Sequence, residues 1–101
     1  MSMFDLLDEP MPGDVMAGVA DRMVRRRKEH GMTQAVLAEK SGVSLGSIRR
    51  FEQSHEISFG SLVNIAFALH CERDFDALFV QPYYATIDDV TAAARRNGGR
   101  A

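Results

Sequence analysis

Between Thr33 and Gln53 the chain carries two short segments of helical periodicity separated only by Gly42-Val43-Ser44. A spacing that tight leaves room for two helices meeting at a sharp angle and little else. Each segment is headed by a hydroxyl residue able to cap it, Thr33 before residues 34–41 and Ser44 before residues 45–53. Gly42 supplies the positive φ that stops the first segment. Val43 is expected to plug the angle, and Ala38 must be small because the second helix crosses close to the first. In the first segment Val36, Leu37 and the stem of Lys40 are expected inward. In the second, Ile48 and Phe51 form the buried face at i and i+3, with Ser47 or Glu52 at its margin. Leu45, Gly46, Arg49, Arg50 and Gln53 are left on the outer face.

The flanking sequence predicts further helices. Asp14 reads as the N-cap of a first helix reaching about Glu29, with an apolar stripe of Val15, Val19, Met23 and Arg26, Ala20 and Val24 beside it, and Gly31 as its C-terminal stop. Pro10, Pro12 and Gly13 read as a break ahead of it. Ser58 caps a fourth helix whose stripe is Leu62, Ile65, Ala66 and Leu69. A short fifth helix over residues 74–79 is expected to bury Phe75, Leu78 and Phe79. Residues 80–84 are β-prone but interrupted by Pro82, so any strand there is short and at an edge. Thr86 and Asp89 resemble a capping box for a last helix to Arg96, ended by Asn97-Gly98-Gly99. The expected architecture is all-α: a flexible arm over residues 1–13, a five-helix domain over 14–80, and a short helical extension with a basic tail over 81–101.

With 101 residues, 46% of them hydrophobic, the chain suits a single modest core. It has no apolar run near the roughly 18 residues of a membrane span, and its acidic start lacks the features of a signal peptide. A cytoplasmic location is the expectation. Cys71 is the only cysteine, so neither an intrachain disulfide nor a cysteine-rich zinc site can form. The net charge of −2 conceals a strong asymmetry. Residues 21–50 hold eight basic and three acidic residues, a net of +5, whereas residues 1–20 carry −4 and residues 51–101 carry −3. A polyanion responds to the surface that faces it rather than to the total. By itself the run Arg25–Lys28 reads first as a solvated helix face.

Two short helices joined by a glycine-containing turn are the signature of the DNA-binding helix-turn-helix. The pattern T-Q-x-x-L-A-x-x-S-G-V-S-x-x-S-I-x-x-F-E from Thr33 to Glu52, followed by S-x-x-x-L-x-x-I-A-x-A-L from Ser58 to Leu69, closely resembles the Cro/repressor-type, or xenobiotic-response-element, family. The resemblance extends over residues 15–80 and implies a lambda-repressor-like domain. That family often has Asn-Gly after the third helix and Pro before the fourth; Gln53-Ser54 and Ser58 stand in those places here, which leaves the loop conformation open. The run E-I-S-F-x-S-L at 56–62 and the acidic-aromatic segment after it also resemble HipB-type antitoxins, which partner HipA-like kinase toxins and repress their own operon.

The resemblance implies that Gln34 contacts a phosphate, aided by its helix N-terminus. It also implies that Ser44, Leu45, Gly46, Ser47, Arg49 and Arg50 face double-stranded DNA. Arg50 is the leading base reader, because a guanidinium pairs with guanine O6 and N7 through two parallel bonds. Arg49 does the same or holds a phosphate, and Leu45 touches a thymine methyl. Gly46 costs roughly 1 kcal/mol against Ala inside a helix, and close approach to DNA is a reason to keep it. Glu52 is expected in a structural ion pair with Arg22 or Arg26.

His30, His55 and His70 have no ligand spacing, and no nucleophile–base pair or phosphate loop stands out, so neither metal, cofactor nor enzymatic activity is expected. The leading function is a transcriptional repressor that binds a palindromic operator as a homodimer, with residues 80–84 and the last helix as the dimer surface. The alternative is a HipB-type antitoxin that holds a HipA-like toxin. An adaptor that does not read DNA is disfavoured by Arg49-Arg50 on the outer face. Phe4, Leu6 and Leu7 in the arm either fold onto a partner or pack back on the first helix.

Overall fold

The computed structural model describes residues 9–83, which form four α-helices and one 3-10 helix, with no strand among the described residues. They are α1 (Pro12–Glu29), α2 (Gln34–Ser41), α3 (Leu45–Ser54), α4 (Phe59–Ala68) and the 3-10 helix Glu72–Ala77. The arm residues 1–8 and the expected last helix over 86–96 lie outside the described residues.

Helix α1 begins three residues earlier than the sequence indicates. Met11 is its N-cap and Pro12 occupies the first turn, where a missing N–H costs nothing. Asp14 acts from inside the helix instead of capping it: its carboxylate accepts the Met11 N–H at 2.9 Å. The helix ends in a Schellman motif. Gly31 takes φ +67, its N–H donating to the Lys28 carbonyl at 2.9 Å, and Met32 N–H donates to the Arg27 carbonyl at 3.1 Å.

The next three caps match their residues. Thr33 Oγ1 accepts from Val36 N–H at 3.1 Å, Ser44 Oγ from Ser47 N–H at 3.1 Å, and Ser58 Oγ from Ser61 N–H at 3.2 Å. Gly42 closes α2 at φ +73, with its N–H on the Ala38 carbonyl at 3.0 Å. The loop left open by the sequence closes through His55, which sits at φ +66 after α3 and donates its N–H to the Phe51 carbonyl at 2.9 Å.

The core gathers Ala20 and Met23 from α1, Leu37 from α2, Val43 from the turn, Ile48 and Phe51 from α3, and Ile65 and Leu69 from α4 and its end. Helix α2 packs against both α3 and α4, and α1 against α3.

Three expectations about packing are corrected. On α1 the buried positions are Ala20, Met23 and Arg27: Val15 is exposed because the first turns run past the core, and Arg26 because the helix phase turns Arg27 inward in its place. On α2 Leu37 alone is fully buried, while Val36 and Lys40 are exposed: eight residues present too narrow a face to cover more. The fifth element is a 3-10 helix placed two residues earlier than expected. Phe75 is half-buried and stacks edge-on against Phe59 at 5.6 Å, but Leu78 and Phe79 are exposed. The chain turns away after Ala77, with Phe79 at φ +58.

Candidate nucleic-acid interface

Helix α3 has two chemically distinct faces. Ile48 and Phe51 are seated in the core, and Glu52 stands beside them with its side chain 9% exposed. Glu52 is the anchor of a polar cluster that ties three helices together. Arg27 of α1 donates to it through Nε at 3.0 Å and through Nη2 at 3.1 Å, a two-bond fork. The same guanidinium donates through Nη1 to the Met32 carbonyl at 2.9 Å. Gln34, first residue of α2, donates from Nε2 to Glu52 at 2.9 Å. The expected partners of Glu52 are therefore wrong: Arg26 pairs with Glu29 at 3.3 Å, and Arg27 takes the inward position. The sequence missed Arg27 because RRRK offers four adjacent cations, and only the helix phase decides which one turns inward.

The opposite face of α3 is open. Ser44, Gly46, Arg49 and Arg50 are exposed, while Leu45 and Ser47 are half-buried. Ser44 Oγ also donates to Ser47 Oγ at 2.8 Å, which holds both hydroxyls at the start of the helix and leaves Ser47 its own O–H to donate. A Cβ added at Gly46 would meet nothing within 4 Å, so no contact inside the protein requires glycine there. Arg49 makes no side-chain hydrogen bond among the described residues, whereas Arg50 reaches Glu56 through Nη2 at 2.7 Å. Gln34 is half-buried, with its amide nitrogen committed to Glu52. Six of the seven expected site residues thus share the cap and first two turns of α3, whereas Gln34 is bonded to Glu52 on the inner face of that helix.

A helix-turn-helix family model matches residues 24–75, just over half of the 101-residue chain. The chain belongs to the Cro/repressor-type helix-turn-helix family. In this helix-turn-helix protein the matched span covers the end of α1, the α2–turn–α3 pair, α4 and most of the 3-10 helix. The all-α arrangement agrees with a lambda-repressor-like domain, and membership makes the chain a DNA-binding transcriptional regulator. No curated protein and no solved structure matches it.

Away from α3, an apolar groove of about 400 Å³ lies between α1, α4 and the 3-10 helix, with Val19, Met23, Phe59, Leu62 and Cys71 among its walls. Burial, and next the nearby Asp74, push the Cys71 thiol above its ordinary value, which disfavours the nucleophilic thiolate. Among the described residues no cluster of His, Cys, Asp or Glu can hold a metal, and no helix is long and apolar enough to cross a membrane.

Proposed function

We propose that this regulator is a repressor that binds a near-palindromic operator as a homodimer, with α3 lying in the major groove. One observation carries the reading: the inner face of α3 is fixed by core contacts and the Arg27–Glu52 fork, while its outer face presents the exposed Arg49 and Arg50. Arg27 spends its guanidinium within the protein, and Arg50 spends one N–H. Arg50 is the base reader, able to pair two N–H groups with guanine O6 and N7. Arg49 reads a second base or holds a phosphate. Ser44 and Ser47 supply hydroxyls at the helix start, Leu45 meets a thymine methyl, and Gly46 lets the backbone come close. Gln34, with one Nε2 hydrogen on Glu52, offers its second to a phosphate at the start of α2.

One such helix reads few base pairs, and two symmetric copies read half-sites about 34 Å apart. Exposed Leu78, Phe79, Val80 and Tyr83 provide apolar area for pairing with a second copy. The test is duplex binding by Arg50→Ala, with binding expected to weaken by roughly 1–3 kcal/mol and discrimination to relax at one base pair. Unchanged affinity together with unchanged base preference refutes the assignment.

A second reading, a HipB-type antitoxin holding a kinase-like toxin, draws support from the apolar groove and from Phe59 and Phe67, both exposed on α4. Such area suits a protein partner, and DNA binding and toxin binding are compatible in one chain. Co-purification with the product of an adjacent kinase-like gene tests it.

A further inference from the structure

The sequence sets Glu56 in a polar break between helices, with no assigned role. The structure brings it beside the outer face of α3. Six residues of continuous helix would carry it well around the axis from Arg50. Instead α3 ends at Ser54, His55 takes φ +66, and the chain folds back so that Glu56 Oε2 accepts from Arg50 Nη2 at 2.7 Å. The two side chains close one side of a recess of about 340 Å³ whose other walls include Ser47, Ser58 and Ser61. Both remain largely in solvent, 68% exposed for Arg50 and 58% for Glu56. An ion pair that open contributes little to folding, so any consequence must be sought in recognition.

The bond is single. It fixes where the guanidinium lies yet leaves its remaining N–H groups without partners among the described residues. That contrasts with Arg27, whose Nε, Nη1 and Nη2 are all engaged. We infer that Glu56 is a positioning residue for operator specificity: it braces Arg50 so that a free edge of the guanidinium is presented to guanine. The inference rests on the reading of Arg50 as a base reader. Glu56 has a second effect through its charge. A carboxylate beside a DNA-facing arginine offsets part of that arginine's attraction for any phosphate backbone, so it lowers affinity for all sequences alike. Bracing rewards the sequence with guanine in place, whereas charge disfavours every sequence equally, so discrimination is raised by bracing alone.

These effects separate experimentally. A preferred duplex is selected from a random pool with the full chain. Binding is then measured on that duplex, on one with the guanine replaced, and on a scrambled one, for wild type, Arg50→Ala, Glu56→Gln, Glu56→Asp and Arg50→Ala/Glu56→Gln. Glu56→Gln is expected to tighten binding to the scrambled duplex while the preference for guanine falls about three- to fivefold, the scale an exposed pair supports. Glu56→Asp keeps the charge but is one methylene too short to brace. It should leave the scrambled duplex unchanged and still lose preference. In the Arg50→Ala background, Glu56→Gln should move all three duplexes by one common factor. If Glu56→Gln moves all three equally in the wild-type background while Arg50→Ala still loses the guanine preference, Glu56 acts by charge alone and the inference is overturned with the base reader intact. If Arg50→Ala keeps the preference, both fall.

Discussion

Replacing Glu52 by Leu removes the acceptor on which Arg27 and Gln34 converge. Arg27 is 8% exposed, and after the change its guanidinium keeps only the Met32 carbonyl at 2.9 Å. Stranding one member of a buried pair costs about 3–5 kcal/mol, because the remaining charge has lost both water and partner. Arg27→Met strands Glu52 in the same way, with Gln34 as its one remaining donor. Removing both together should cost far less, about 1–2 kcal/mol. The remaining losses are the hydrogen bonds to the Met32 carbonyl and from the half-buried Gln34. The double-mutant cycle should therefore show a coupling of at least about 4 kcal/mol. Far-UV circular dichroism during urea and thermal unfolding of the full chain reads these values. For a domain this small each kcal/mol moves Tm by about 4–8 °C, so each single variant should lose well over 10 °C and the double variant should recover most of it. Singles that each cost under about 1 kcal/mol, or a double that equals their sum, would falsify the view that this cluster locks the helices.

Gly46→Ala should raise stability by about 1 kcal/mol, because the site is empty and helical, yet weaken operator binding; equal or better DNA binding removes close approach as the reason for glycine. Gly42→Ala should lose about 1–2 kcal/mol in urea unfolding, since φ +73 is left-handed. Phe79→Ser/Tyr83→Ser should shift the chain toward monomer in light scattering without lowering its melting temperature, because both side chains are exposed; loss of fold would place them in the core. Because the native state holds the Cys71 proton more tightly than the unfolded chain does, its contribution is constant below 9.0 and is lost as pH rises through the raised folded value. Alkylation of Cys71 at neutral pH should accordingly be slower than that of a free thiol, and Cys71→Ala should flatten the fall in Tm above pH 9.0.

The helix pair was legible because its information is local. Thr33, Gly42 and Ser44 each specify a cap or a stop through bonds spanning a few residues, and the interior positions Leu37, Ile48 and Phe51 follow from helical phase. What the sequence concealed depends on encounters between distant segments. The choice of Arg27 over Arg26 as partner to Glu52 is set by the rotation of α1 against α3, which no cap residue encodes. Phe79 reads as core by type, but its burial depends on whether the chain continues along α4 or turns away after Ala77. Glu56 was invisible as a neighbour of Arg50 because a left-handed residue other than glycine, His55, makes the connection, and that conformation is uncommon outside glycine.

The two faces of α3 also bear on how such a regulator acquires new targets. Ile48, Phe51 and Glu52 hold the helix, whereas Gly46, Arg49 and Gln53 point outward and make no side-chain hydrogen bond among the described residues. Substitutions at exposed positions away from such contacts usually change stability by less than about 0.5 kcal/mol. A duplicated gene can therefore drift at these positions toward a different operator while every intermediate still folds. Arg50 differs in being bonded to Glu56: on the proposed reading of Arg50 as a guanine reader, a lineage that abandons guanine there leaves Glu56 facing phosphate unopposed, so the two positions should change together.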